Sequence, residues 1–236
     1  MIYQRSQAIP LLNELYRDKT PFVLFTDFMG DTVWIKPTSE IDVDELKYQF
    51  PNIKAQHKTD KLKKLKFKKE PVSYQEFSEA FDQVVHEIKI GNSYLTNLTF
   101  RTPINTNFSL DDIFDHSEAL YQIKFKDQFV VFSPETFVRI EGEKIHSYPM
   151  KGTIDAAIPN AREKILSDHK EMSEHITIVD LIRNDLSQIA SQVRVTKFRF
   201  MSTIKTYEKQ LLQVSSEITG MLHDPENLGD NLFSLL

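Results

Sequence analysis

The sequence predicts an α+β domain whose helices and antiparallel strands follow one another in blocks. Three observations carry this. A helix with both a start and a stop signal spans about 73–91, hairpin-spaced strands fill about 121–149, and a second long helix at 167–190 precedes two further strands. The 236 residues are 40% hydrophobic and 27% charged, ordinary values for a chain that buries a sizeable core.

Taken in order, PFVLFTDF (21–28) reads as a buried strand, and MGDTVWIKP continues it through a hairpin with Gly30 and Asp31 at the turn. The lysine-rich KTDKLKKLKFKK (58–69) reads as a solvated strand or loop, or as a basic rim for an anionic substrate or partner. Ser73 and Glu76 form an S-x-x-E capping box. Phe77, Phe81, Val84, Val85 and Ile88 then share one helical face, and Gly91 stands where a C-cap glycine belongs. SYLTNLTF (93–100) is expected as a strand. Tyr121–Phe125 and Phe129–Phe132 form another pair around a tight KDQ connection, and TFVRIEGEKIHSYP turns at Glu141-Gly142-Glu143. In the helix over 167–190, Met172, Ile176, Val179, Ile182, Leu186 and Ile189 recur by three or four and form the expected core stripe. QVRVTKFRF and QLLQVSSEITGML follow as strands. A last helix starts near Asn227, and the apolar ending FSLL suggests a chain that is cut rather than finished.

Composition excludes several functions. A net charge of −5 lacks the basic excess of a general nucleic-acid binder. With no cysteine, disulfides, thiolate catalysis and cysteine-bound zinc are ruled out, and a cytoplasmic location is permitted. The N-terminus has no signal-peptide pattern, and no apolar run approaches the ~20 residues that span a bilayer.

Four patterns can carry chemistry. Tyr148-Pro149-Met150-Lys151-Gly152-Thr153 holds a lysine between a proline and a glycine that lets a ligand approach the backbone. On spacing alone its plainer reading is a surface turn with a solvated lysine. Glu171 and Glu174 lie three apart on one helical face, where they can hold a hard cation or simply face solvent; the adjacent His175 reads as structural. IVDLIRNDL (178–186) has charges flanking a buried stripe that can pair across one turn. Glu135 in Ser133-Pro134-Glu135 is a general acid if partly desolvated, or a turn residue.

Taken together, GNSYLTNLT (91–99), SPE (133–135), PMKGT (149–153), KEMSEH (170–175) and IVDLIRNDL (178–186), in this order, resemble the chorismate-utilising enzyme family. The resemblance covers the chain from about Pro71 onward. It implies two opposed antiparallel sheets with outer helices, a single domain over 1–236 made of an N-terminal strand segment to about 70 and a catalytic lobe beyond it, and one Mg²⁺. It implies Glu174 as magnesium ligand with Glu171 beside it, and Gly152 and Thr153 as contacts to substrate or leaving group.

Anthranilate synthases usually have alanine where Lys151 stands, whereas aminodeoxychorismate synthases have lysine, which adds to carbon 2 of chorismate. The resemblance therefore implies amination at carbon 4, on the route to 4-aminobenzoate and folate. It also implies Glu135 as acid for the departing hydroxyl and ammonia from a separate glutamine amidotransferase subunit. The rival readings are an anthranilate synthase component and a non-catalytic fragment. Leu95 stands where isochorismate-forming members carry lysine, which argues against hydration. Gln213 stands where many relatives have histidine. The family's later glycine-rich loop, an arginine strand and a further metal-binding glutamate do not occur before Leu236, so these residues alone are expected to be inactive and aggregation-prone.

Overall fold

The structure, a computed structural model, describes all residues except 52–63, 95, 134 and 207–208. Part of the lysine-rich stretch, Leu95 and Pro134 of the SPE motif therefore lie outside the described residues. Two compact units emerge: Met1–Ala55 with Glu118–Leu236, and the inserted Gln56–Ser117.

In chain order the first unit opens with β1 (Ile2–Gln4), α1 (Arg5–Arg17), β2 (Phe22–Thr26), β3 (Thr32–Pro37) and β4 (Leu46–Gln49). The second unit contributes β5 (Phe67–Lys69), α2 (Tyr74–Lys89), β6 (Ile104–Thr106) and α3 (Leu110–Asp115). The first resumes with β7 (Tyr121–Phe125), β8 (Phe129–Ser133), β9 (Arg139–Glu141), β10 (Lys144–Ser147) and β11 (Met150–Asp155). It ends with α4 (Ala161–Ser167), α5 (His169–Ile189), β12 (Ala190–Lys205), β13 (Gln210–Leu222) and α6 (Leu228–Ser234). Strand pairings among the described residues are antiparallel. They run β1-β3-β2, β4-β7-β8, β5-β6 and β11-β13-β10-β9, with β12 on β13. The antiparallel α+β class expected from the sequence is thus present, with the strands shared among several sheets. No helix among the described residues is long and apolar enough to cross a membrane.

Strand alternation places the cores of the first unit. Val33 and Ile35 on one face of β3 pack with Ala8 and Leu12 of α1 and Phe233 of α6. Trp34 on the other face joins Val23, Leu46 and Phe125, and Phe25 stacks on its ring at 5.0 Å. A third cluster sets Val179, Leu186 and Ile189 of α5 against Ile145, Ile218 and Leu222 of β10 and β13. Each such side chain removed from water contributes about 1.5–3 kcal/mol, so α5 is fixed on the sheet mainly by this stripe.

Three expectations change. The N-terminal segment, expected as strands, contains the 13-residue α1. Ala8 and Leu12, one turn apart, bury against β3, and the Gln4 and Gln7 side chains cap the first turn reciprocally. SYLTNLTF forms no strand among its described residues: Ser93 and Thr96 hydroxyls meet at 3.1 Å, local bonding that competes with a ladder. The α5 stripe holds at Val179, Leu186 and Ile189 but changes at its start, where Ile176 is 50% exposed and His175 is 1% exposed. In the second unit, Ser73 caps α2 through Glu76 N at 3.2 Å, and Gly91 follows the helix at φ +84°.

Helices α1 and α6 are clamped through Asn13, which donates to Asp230 Oδ2 (2.7 Å) and accepts from Gly229 N (2.7 Å). A Cβ on Gly229 would stand 2.5 Å from the Ile9 carbonyl oxygen. Gly229→Ala is therefore expected to cost about 1–3 kcal/mol, measured by urea unfolding; an unchanged midpoint would show that the two helices can part without penalty.

Candidate active site

All six residues singled out as site candidates lie in the first unit, on or beside β11 and α5. The β11–β13 register pairs Met150 with Ser215 and Thr153 with Gln213, so Lys151 and Gly152 together oppose the single Val214. This two-for-one bulge requires an unusual backbone, and Gly152 takes it at φ +89°. Its missing Cβ would lie 3.2 Å from Glu171 Oε2 and 3.4 Å from Ile165 Cδ1. The bulge thus brings the lysine-bearing backbone directly against α4 and the first turn of α5. Thr153 donates its hydroxyl to Gln213 Oε1 at 2.6 Å, which joins two positions singled out from the sequence.

Glu135 follows β8, and the Lys151 and Met150 neighbourhood reaches it. Burial raises its pKa above the ordinary carboxylate value; the Met150 backbone and the Lys151 charge act in the opposite sense. Although its surface remains exposed, enough protein surrounds the carboxyl to disfavour the anion, as a proton donor requires. It lines a cavity of 310 Å³ with Thr136, Ser147, Tyr148 and, from α5, Ile178 and Ile182.

Glu171 and Glu174 share a face of α5, as their spacing predicts, and both side chains are 30% exposed. Lys170 spans them, with Nζ 2.8 Å from Glu174 Oε1 and 3.6 Å from Glu171 Oε1. The pair is thus a hard-oxygen donor set facing partly into solvent. Asp168 caps the helix by accepting from Glu171 N at 3.0 Å, which fixes where this first turn starts.

His175, read from the sequence as structural, is a buried polar group next to these residues. His175 Nε2 lies 2.7 Å from Ser216 Oγ, which also accepts from the backbone N–H of Arg199 at 3.0 Å. Burial lowers the His175 pKa, and the Arg199 charge adds to this. The spacing of Val179, Ile182, Leu186 and Ile189 was the one available signal, because position 175 continues it on the buried face. Arg199 gave none, since its φ of +52° at a break in the β12 register is not written in its residue type. A larger cleft of 910 Å³ is lined by other residues, among them Arg139, Tyr148, Lys197 and Glu217. None of the six candidates lines it. There Glu217 binds Lys197 (3.1 Å) and His146 (3.2 Å), which together hold its pKa below the ordinary value against burial.

Comparison with known proteins places this geometry. The sequence profile described as chorismate binding enzyme matches residues 24–236. A Haemophilus influenzae protein named "Uncharacterized PabA-like protein" is 40% identical over 226 residues, covering 95% of this chain and 69% of that protein. A Pasteurella multocida protein, "Uncharacterized PabA-like protein PM1464", is 49% identical over 152 residues, 64% of this chain and 47% of that protein. In fold, the chain is similar to a solved Bacillus anthracis structure described as a 2,3-dihydroxybenzoate-specific isochorismate synthase, DhbC. The TM-score is 0.61 at 16% identity, over 98% of this chain and 67% of that one.

The raised pKa of Glu135 has a consequence for stability. A carboxyl that binds its proton more tightly when folded loses stability as pH rises from the ordinary carboxylate value through the folded one. Glu135→Gln is therefore expected to flatten the fall in thermal midpoint between acid and neutral pH. A variant whose midpoint follows the wild-type pH curve would show that the carboxyl is not desolvated.

Proposed function

This chain belongs to the chorismate binding enzyme family, and from that premise we propose that it acts as an aminodeoxychorismate synthase component I. Its reaction would be conversion of chorismate and ammonia to 4-amino-4-deoxychorismate, with ammonia delivered by a glutamine amidotransferase subunit. The observation that carries the reading is Lys151 on the two-for-one bulge, within electrostatic reach of Glu135.

The chemistry balances with these two side chains. The free amine of Lys151 bonds to ring carbon 2, both ring double bonds shift by one position, and the carbon-4 hydroxyl leaves as water with the proton of Glu135. Ammonia then bonds to carbon 4 and passes a proton back to Glu135, both double bonds return, and the Lys151 amine is expelled from carbon 2. Water is the net by-product of exchanging hydroxyl for amine. The raised pKa of Glu135 supports the first step, because the acid must hold its proton until the hydroxyl departs. Gly152 supports it sterically, since without a Cβ the lysine-bearing backbone packs closely against Glu171 and Ile165.

Glu171 and Glu174 fit a magnesium ion by donor chemistry. Magnesium is commonly held by one or two carboxylates, with substrate oxygens and water completing the shell. The cation they share in this structure is Lys170, a side chain 73% exposed and free to swing away. Among the described residues no group of three or more histidine, cysteine or acidic side chains is placed to hold a metal. The remaining positions would therefore fall to substrate and solvent. When bound, the ion supplies positive charge against the substrate carboxylate.

Two measurements test the proposal. Lys151→Ala, with ammonium and chorismate supplied, is expected to abolish 4-amino-4-deoxychorismate and divert product toward anthranilate, since ammonia can then attack carbon 2. Undiminished 4-amino-4-deoxychorismate would refute the nucleophile. Glu174→Gln is expected to abolish magnesium-dependent activity while leaving the circular dichroism spectrum and thermal midpoint intact, because the side chain is part exposed and outside the core. A wild-type magnesium response in that variant would remove Glu174 from the metal site.

A further inference from the structure

We infer that His175 is a positioning residue for Lys151: through a buried relay with Ser216 and Arg199 it fixes the bulged lysine backbone against the helix that carries Glu171 and Glu174. The inference deepens the amination reading and rests on it for the reaction served.

The argument begins with hydrogen counting. His175 is 1% exposed and Ser216 is 0% exposed, so neither bonds to bulk water. A serine hydroxyl has one hydrogen and can accept as well. Ser216 Oγ accepts from Arg199 N at 3.0 Å, and among the described residues its own hydrogen meets no acceptor other than His175 Nε2 at 2.7 Å, so that hydrogen fills this contact. Nε2 is then an acceptor, and the neutral ring carries its proton on Nδ1. The Lys151 backbone stands close enough to favour a proton on the ring, though Nδ1 meets no full hydrogen-bond geometry among the described residues.

Ser216 holds the lysine strand as well. Its backbone N–H donates to the Pro149 carbonyl at 3.0 Å, two residues before Lys151. One residue of β13 therefore grips β11 by its main chain and α5 by its hydroxyl. Arg199 adds α4 to the knot, donating to the Leu166 and Ile165 carbonyls at 2.8 and 2.9 Å, while the Ile165 side chain packs over Gly152. An apolar side chain at 175 would fill the same space. It would not set the hydroxyl of Ser216, and α5 would lose its hydrogen bond to the residue of β13 that holds the Pro149 carbonyl.

The test reads the tautomer and the lysine separately from catalysis. In the ¹⁵N-labelled protein at neutral pH, the histidine whose signals vanish in His175→Gln is expected to carry its proton on Nδ1. Ser216→Ala should mix its tautomers, and Ser216→Thr should restore a single one. The ¹³C-dimethyl resonance of Lys151 after reductive methylation, identified by its loss in Lys151→Arg, should shift in Ser216→Ala and return in Ser216→Thr. In the amination assay, Ser216→Ala should lower kcat roughly 10–100-fold with KM for chorismate held within about threefold, the pattern of a supporting residue. A wild-type His175 protonated on Nε2 overturns the inference without any variant. So does a Lys151 resonance indifferent to both His175→Gln and Ser216→Ala. Turnover of chorismate by the wild-type protein to a product other than 4-amino-4-deoxychorismate would sink the amination reading instead, while the two resonances still decide whether His175 places Lys151.

Discussion

The structure depends on the demand that a buried strand have both its edges hydrogen-bonded. β13 meets that demand by pairing with β12 along one edge and with β10 and then β11 along the other. Its residues also alternate between two environments. Val214, Ser216 and Ile218 face the α5 side, while Ser215 and Glu217 line the large cleft. Because β11 is attached to this one strand, any irregularity in their register becomes a displacement of Lys151. The bulge is therefore a local exception built on the most constrained element of the unit.

The same constraint explains why so many polar side chains are tolerated in the interior. Gln213, Ser215, Ser216 and Thr219 on β13 are all buried, as are His146 and His175 facing them. Each unpaired polar group at such a depth would cost about 1–3 kcal/mol. The sequence meets this by pairing them with one another: Gln213 with Thr153, Ser216 with His175, and Glu217 with His146. These three pairs give polar groups of β13 hydrogen-bond partners on neighbouring elements.

What the sequence disclosed follows the range of the forces involved. Hairpins at Gly30 and Gly142, the capped α2 and the strands around Lys126 depend on neighbours a few residues away, and they were legible. The glutamates on α5 and the glycine after Lys151 were legible for the same reason. The exact phase of α5 was not, because a polar histidine can outbid Ile176 for the core only when a serine 41 residues later supplies a partner. The Arg199 backbone conformation and the nearness of Glu135 to Lys151 likewise depend on contacts between separate elements. SYLTNLTF had the residue types of a strand without a strand to pair with, and local side-chain bonds prevailed. The helix α1 was missed because its two buried residues, Ala8 and Leu12, make too short a stripe to stand out.

The clamp between α1 and α6 has a consequence for biosynthesis. Asn13 and Asp230 are 217 residues apart, and contacts of such separation form late. α1 leaves the ribosome early, and its apolar face can dock on β3, but the polar partners of Asn13 emerge only 217 residues later. At about 5–20 residues per second this leaves the nascent chain with an unmatched Asn13 for about 10–40 s. The segment 56–117, whose contacts are largely its own, is free to fold meanwhile. Vectorial synthesis thus orders the assembly, with the inserted unit completed before α1 and α6 can join.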